Sequence, residues 1–353
     1  MRVLLNQPNP SLKSIPRISL TNLPTPLSNA SRLGKKLGIS HLYIKRDDLT
    51  ELALGGNKVR KLEFLLADAL SKGADSIIIS AAAQSNMVRI TASACAKLGL
   101  EVYAVLRSLD KQVPLEGNLL LDHLFGANIL FIPTLDPYSD LSVQMMNKLN
   151  TSLKRQGKKP YIIDLRYHSG PLAALGYLAA FEEIELQFKD LGAFPRYLFL
   201  CTGSGTTQVG LLLGAILSKL PIEIVGISVQ KPADWIIPRM QKKLVESANL
   251  LNIDLDLSDI RIIVDDRWIG KGYGIPSEEG LEAIYLTAES EGILLDPVYS
   301  SKGMAGLIGW IREGKVKGDQ PVVFLHSGGI PSLFTSNLSK EFSLNQIPSS
   351  FYE

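Results

Sequence analysis

The chain is poor in residues from which a disulfide framework or a metal site could be built. It holds two cysteines, Cys95 and Cys201, in 353 residues, with no metal-ligand spacing between them. They fit a reducing compartment. The four histidines, His41, His123, His168 and His326, are scattered, and none forms a His-x-x-x-His pair. No metal is therefore expected. An excess of one charge is missing too. The 37 Lys plus Arg face 35 Asp plus Glu, a net charge of +2, which argues against a nucleic-acid or membrane-surface partner. No apolar run reaches the roughly 18 residues needed to span a bilayer. The apolar part of the N-terminus, Met1 to Pro8, is too short for a signal peptide. A cytoplasmic protein is the reading. Hydrophobic residues at 46% and charged residues at 20% fit an ordinary globular chain, long enough for one large or two medium domains.

Alternation is what the sequence does have. From about residue 58 onward, helical spacing is predicted over 58–72, 87–98, 115–125, 141–155, 171–188, 207–218, 238–250, 278–291 and 302–313. Short apolar or β-branched runs between them predict strands over 76–79, 101–106, 128–132, 161–163, 197–201, 222–229, 260–264 and 321–325. Such alternation implies crossover units and parallel sheets, an α/β fold. Sites in such sheets lie at the C-terminal ends of strands. Four loops sit there: 80–86, 164–170, 202–207 and 326–329. Residues 1–20 and 337–353 read as peripheral arms.

Two short loops carry the chemistry. In Gly55-Gly56-Asn57-Lys58, a lysine follows two glycines where a helical pattern begins. Glycines let a bulky ligand approach the backbone, and a lysine held partly out of water there can lose its proton and form a Schiff base. Gln84-Ser85-Asn86 offers an amide, a hydroxyl and an amide in a row, a clamp for a substrate carboxylate. Together they point to pyridoxal 5'-phosphate (PLP) carried on Lys58. Lys45, Lys61 and Lys72 read as solvated lysines. Thr202-Gly203-Ser204-Gly205-Thr206-Thr207-Gln208 follows a strand and opens a helix, where backbone amides and hydroxyls bind phosphate; a plain tight turn is the other reading. A dinucleotide site would want an acidic residue at the end of the next strand, which ends Ser228-Val229-Gln230 instead. Tyr273, between Gly272 and Gly274, suits a proton donor or orienting group, or simply an aromatic cover. Asp265 and Asp266 read as solvated loop charges.

These motifs occur in the order found in the PLP-dependent family of 1-aminocyclopropane-1-carboxylate deaminase and D-cysteine desulfhydrase, within the tryptophan-synthase-β-like class. The resemblance runs from Pro24-Thr25-Pro26-Leu27 and Ile44 to Leu49, through Gly117-Asn118 and Asp296-Pro297-Val298-Tyr299, to His326-Ser327-Gly328-Gly329-Ile330-Pro331. It implies a two-domain PLP fold type II enzyme of parallel twisted sheets flanked by helices. Residues 1–60 with 181–353 would form the large PLP-binding domain and 61–180 the smaller one. It implies Lys58 as the Schiff-base lysine, Ser85 as a catalytic serine near the substrate carboxylate, and Asn86 beside the cofactor ring. Residues 203–207 would be the phosphate cup, and Tyr273 and Tyr299 the two active-site tyrosines. With the residues named above, Asn57, Thr202 and Ser327 complete the cofactor set, and Gln84 joins Ser85 and Asn86 for the substrate. A homodimer is implied by the resemblance.

Two positions separate the branches. The deaminase has a glutamate where this chain has Ser300 and a leucine where it has Ser327; the desulfhydrases carry small hydroxyl residues at both. This chain is therefore similar to the desulfhydrase branch. A glutamate near the pyridine nitrogen would make the ring a deep electron sink, whereas a serine offers a neutral hydrogen bond and suits prompt β-elimination. D-cysteine going to pyruvate, hydrogen sulfide and ammonia is the implied reaction. Cyclopropane ring opening to 2-oxobutyrate, sulfite loss from cysteate, and a PLP-binding regulator without turnover are the alternatives. The chain departs from the family pattern at Ala81-Ala82, Met87 and Tyr167-His168, each of which adds bulk or shape at a strand end.

Overall fold

The computed structural model describes residues 12–110, 112–166, 168–316 and 320–343. Two sheets carry the architecture. The strands are β1 (Leu27–Asn29), β2 (Leu42–Arg46), β3 (Ser76–Ala82), β4 (Glu101–Arg107), β5 (Asn128–Ile132), β6 (Pro160–Ile163), β7 (Tyr197–Thr202), β8 (Glu223–Ser228), β9 (Ile263–Asp265) and β10 (Val322–His326). Six form one sheet in the order β1-β2-β10-β7-β8-β9, and four form the other in the order β5-β4-β3-β6. Every pairing is parallel except β1 with β2. The α/β class with parallel, helix-flanked sheets read from the alternation is the observed fold. The strands of the four-stranded sheet all fall within 76–163, inside the segment expected to form the smaller domain.

The helices are α1 (Ser31–Leu37), α2 (Lys58–Ser71), α3 (Asn86–Leu98), α4 (Gly117–Leu124), α5 (Asp140–Arg155), α6 (Gly170–Asp190), α7 (Thr206–Ser218), α8 (Ala233–Asn249), α9 (Glu278–Glu291), α10 (Ser300–Arg312) and the short α11 (Ser336–Ser339). Helix α6 packs against both α2 and α7, and its apolar side chains join one core with those of β7, α7 and α8. A separate cluster fills the space between the four-stranded sheet, α2 and α3.

Several elements differ from the sequence reading. Strand β2 was not expected, yet it lies inside the six-stranded sheet between β1 and β10. Leu42 and Ile44 are fully buried, but the run is short and ends in Lys45-Arg46, which masks it. Helix α8 begins five residues before the expected start, with Pro238 inside it. The arm expected over 1–20 docks where it is described. Ile18 N donates to Glu63 O, Leu20 N donates to Glu63 Oε1 at 3.0 Å, and Arg17 pairs with Glu63 at 2.6 Å. Residues 1–11 and 344–353 of the two arms lie outside the described residues. Asp265 is buried rather than solvated: Arg267, Trp268 and Trp310 all donate to its carboxylate, and its pKa falls to about 2 because these bonds outweigh burial. Asp266 Oδ2 accepts from Ala233 N at the start of α8.

Candidate active site

The C-terminal ends of β3, β4, β6, β7 and β10 converge on one cavity of about 190 Å³. This convergence follows from parallel strand direction, which places every strand-to-helix loop on the same edge. Lys58, Ser85, Asn86, the 202–207 loop, Tyr273, Tyr299, Ser327 and Asn57 all line it.

Lys58 is the first residue of α2, and the loop before it is unusual. Ala53, Leu54, Gly55 and Gly56 all have positive φ, at 50°, 65°, 69° and 127°. Hydrogen bonds hold this strained run in place. Gly56 N donates to Asp47 O and to Thr50 Oγ1, and Arg89 Nη2 donates to Gly55 O. A Cβ at Gly55 would lie 1.9 Å from Asp48 O, so only glycine fits. A Cβ at Gly328 would lie 2.7 Å from the Gly56 Cα, so the two glycine loops pack back to back. Asn57 N donates to Ser327 O at 3.0 Å across this contact. His326 fixes the second loop: its Nδ1 accepts from Gly328 N at 3.1 Å and its Nε2 faces Leu294 O at 2.7 Å. The first nitrogen accepts, so the second carries the proton.

Below this loop runs a buried ion network. Arg60 donates to both carboxylate oxygens of Asp47, at 2.8 and 2.9 Å, and to Glu183. Lys45 donates to Glu183, Thr25 O and Gln187, and Tyr177 donates to Asp47 at 2.5 Å. Burial pushes the Asp47 carboxyl up, but Arg60, Tyr177 and Lys45 outweigh it and hold it below its ordinary value. Lys45 is thus a buried structural lysine, not a solvated one.

Lys58 Nζ donates to Asn57 Oδ1 at 2.9 Å, and Asn57 Nδ2 donates to Thr207 Oγ1 at 3.1 Å. Withdrawal from water lowers the Lys58 pKa, opposed by Cys201 and Asp296 and helped by Arg89. Lys61, one turn further on, corrects the sequence reading more sharply. It is 2% exposed, lines the cavity, and burial with Lys58 and Lys243 nearby takes its pKa well down. The helical spacing of three residues was visible in the sequence; its direction into the cavity was not.

The 202–207 loop delivers β7 into α7. Gly205 is left-handed at φ 76°, which turns the backbone into the helix. Lys243 Nζ donates to Ser204 O at 2.7 Å and to Thr206 Oγ1 at 2.9 Å, and burial lowers its pKa to about 8. Thr202 Oγ1 is buried without a partner. A helix N-terminus, the hydroxyls of Thr202, Ser204, Thr206 and Thr207, and the buried Lys61 and Lys243 make an arrangement suited to a phosphate, and Lys58 lines the same cavity. The residues fit PLP.

Ser85 caps α3, its Oγ accepting from Met87 N at 3.1 Å, which leaves its own proton free to donate. Asn86 Oδ1 accepts from Asn118 Nδ2 at 3.1 Å. Gln84 does not line the cavity. Its amide donates to Glu116 O at 3.0 Å and accepts from Asn118 N at 2.8 Å, so it braces the loop from behind. These two bonds to the start of α4 hold the side chain out of the cavity. Ala81, Ala82 and Met87 do line the cavity, while Tyr167 lies outside the described residues.

Tyr273 and Tyr299 share a short hydroxyl–hydroxyl hydrogen bond, with ring centroids 5.8 Å apart. Burial and Tyr273 take the Tyr299 phenol well above its ordinary value. Ser300, expected near the pyridine nitrogen, is turned away. Its Oγ donates to Asp296 Oδ1 and accepts from Asp296 N, both at 2.7 Å, in a reciprocal cap of α10. Ser327 is the one of the two branch-marking serines that faces the cavity, its Oγ 3.1 Å from Cys201 Sγ. Cys201 also lines the cavity, and burial raises its thiol to about 11. Nothing in the sequence distinguished it from a core residue of β7. Arg107, Arg166 and Tyr138 line the cavity as well; a lone arginine at a strand end carries no motif. Among the described residues, no group of histidine, cysteine or acidic side chains could hold a metal ion, and no helix is long and apolar enough to cross a membrane.

The D-cysteine desulfhydrase of Serratia proteamaculans is 41% identical over 92% of this chain and 96% of its own length. That of Klebsiella pneumoniae is 40% identical, over 92% of this chain and 97% of its own length. The crystal structure of an ACC deaminase homologue superposes with a TM-score of 0.85 at 34% identity, covering 94% of this chain and 96% of that one. The family model "Pyridoxal-phosphate dependent enzyme" matches residues 18–328, and the chain belongs to that family of PLP-dependent enzymes.

Proposed function

We propose that the protein is a carbon–sulfur lyase that carries out β-elimination on a small amino acid, with D-cysteine giving pyruvate, hydrogen sulfide and ammonia. The observation that carries this reading is the placement of Lys58, Ser85 and the Tyr273–Tyr299 pair around one cavity beside the 202–207 loop. The relatives named D-cysteine desulfhydrase, matched over almost their whole length, support the choice of substrate.

PLP, when bound, supplies an electron sink that makes the substrate's Cα proton labile. The chain does the rest. Residues 202–207, with Lys61, hold the phosphate. Ser327 offers a neutral hydrogen bond from the cavity floor. Ser85 and Asn86 hold the substrate carboxylate, with Gln84 bracing their loop. Lys58, its pKa lowered by burial, takes the Cα proton. Tyr299, kept protonated by its surroundings and oriented by Tyr273, donates to the departing β-substituent. The enamine left behind takes up water to give pyruvate and ammonia.

The division into a large domain (1–60 with 181–353) and a smaller one (61–180), and a cytoplasmic homodimer, belong to the same reading. Cys95 and Cys201 are buried free thiols, which suits a reducing compartment. Exposed Leu120 and Leu124 on α4 supply apolar surface for a partner copy. Measuring sulfide and pyruvate release from D-cysteine, with L-cysteine alongside, tests the function. No release from PLP-loaded protein overturns it.

A further inference from the structure

Tyr273 sits in a loop that packing does little to shape. Gly270, Gly272 and Gly274 all have positive φ, at 66°, 143° and 77°. Glycines so close together leave the unfolded segment much freedom to lose. Among the described residues, a Cβ at Gly272 would come no nearer than 3.9 Å to an atom beyond its chain neighbours, and one at Gly274 would meet nothing within 4 Å. The loop backbone adds a long hydrogen bond, Ile275 N to Gly272 O at 3.4 Å. Tyr273 is itself 38% exposed. Yet its hydroxyl meets that of Tyr299 in a short hydrogen bond, so something has to hold the loop.

Helix α10 supplies the hold. Lys302, on its first turn, is fully buried, and its Nζ donates to Ile269 O at 2.7 Å and to Gly272 O at 2.8 Å. One ammonium thus ties the start of the loop to the residue before Tyr273. Burial lowers the Lys302 pKa, opposed by Asp296. An ammonium taken out of water needs such partners, and its bonds to them are charge-assisted. About two turns further along α10, Gly309 leaves room for the other end of the loop, since a Cβ there would lie 2.0 Å from Trp268 Cζ2. Tyr299 is the residue just before α10, and its N–H donates to Asp296 Oδ2 at 2.9 Å. One helix therefore carries Tyr299 through the chain and Tyr273 through Lys302. Lys302 does not line the cavity.

Resting on the lyase reading above, we infer that Lys302 is a positioning residue for the departing group: by gripping the carbonyls of Ile269 and Gly272 it holds Tyr273 against Tyr299, and so aims the Tyr299 proton at the leaving sulfur. The Cα proton goes to Lys58. The Cβ–S bond breaks with its electron pair on sulfur, which takes the Tyr299 proton. The phenolate left behind recovers a proton from solvent between turnovers. No oxidant or reductant is needed. Lys302 has no share in the Cα step, so its worth depends on whether the leaving group needs a proton.

The test is kcat of the PLP-loaded enzyme for D-cysteine and for β-chloro-D-alanine, in wild type, K302M, Y273F and the double variant, with amide hydrogen exchange measured over 268–275. Sulfur leaves poorly without a proton, whereas chloride leaves without one. K302M is expected to lower kcat for D-cysteine about tenfold or more, the loss of a charge-assisted hydrogen bond. It leaves kcat for β-chloro-D-alanine within about twofold. Exchange over the loop quickens. In the Y273F background, K302M lowers D-cysteine turnover by less than about twofold more, because the group it positions is gone. K302Q, whose amide still donates, recovers part of the D-cysteine rate. Should K302M fail to fold, K302Q compared on the two substrates decides. An equal fall for both substrates, additive losses in the double variant, or unchanged exchange over the loop overturns the inference and leaves the lyase reading intact. Turnover of neither substrate by PLP-loaded wild type overturns both readings.

Discussion

Asn57 joins Lys58 to the 202–207 loop: its Oδ1 accepts from Lys58 Nζ at 2.9 Å while its Nδ2 donates to Thr207 Oγ1 at 3.1 Å. One side chain thus ties together the lysine proposed to bond the cofactor and the loop proposed to anchor its phosphate. Replacing it with alanine removes both bonds, each worth about 1 kcal/mol. N57A is expected to weaken PLP binding about tenfold, read by titrating apoenzyme with PLP and following visible absorbance. An unchanged PLP affinity would remove Asn57 from the site.

Lys61 is buried beside Lys58 and Lys243, so its charged form is disfavoured there until an anion arrives. K61M is expected to leave the apoenzyme as stable or more so, while PLP affinity falls. The sign with pH is fixed by the direction of the shift. Because the folded-state pKa lies below the unfolded one, the unfolded chain holds more protons between the two, and apoenzyme stability rises with pH across that window. K61M flattens this rise in urea melts taken at neutral and alkaline pH. Equal PLP affinity in K61M and wild type would exclude the phosphate role.

The proposed reaction makes Tyr299 the proton donor and Tyr273, hydrogen-bonded to it, the orienting neighbour. Y299F is expected to lower kcat by about a hundredfold or more, the usual worth of a positioned general acid, and Y273F by less. Since Tyr299 is held protonated above its ordinary value, its titration should not lower wild-type kcat below pH about 10. If Y299F turned over substrate at the wild-type rate, the donor would have to be another group.

Asp47 and Arg60 form a buried pair beneath the Lys58 loop, both with side chains 0% exposed. Removing one partner leaves an uncompensated charge, so R60M is expected to lose about 3–5 kcal/mol in urea denaturation at neutral pH. Asp47 titrates lower in the folded state than in the unfolded one. Its contribution is therefore complete above the unfolded carboxylate value near 4 and is lost as pH falls through the folded one. Stability that is indifferent to acid below pH about 4 would contradict this.

Most of the fold was legible because hydrophobic period and turn residues agree from residue 58 onward. The loops at strand ends were legible because glycine and hydroxyl residues cluster there. What escaped was orientation. Lys45 and Lys61 look like any surface lysine until tertiary contacts bury them, and their partners Glu183 and Tyr177 lie more than a hundred residues away. Gln84 and Ser300 sit in the right motifs but spend their polar atoms on local bracing. Arg107 and Cys201 belong to no motif, and only the convergence of parallel strands brings them to the cavity.

The central claim is that Lys58 drives β-elimination in this cavity. Its most direct test is sulfide and pyruvate release from D-cysteine by PLP-loaded wild type and by K58A at matched protein concentration. The account predicts equal amounts of both products from wild type and none above background from K58A. K58A turning over at the wild-type rate, or PLP-loaded wild type releasing neither product, would contradict it.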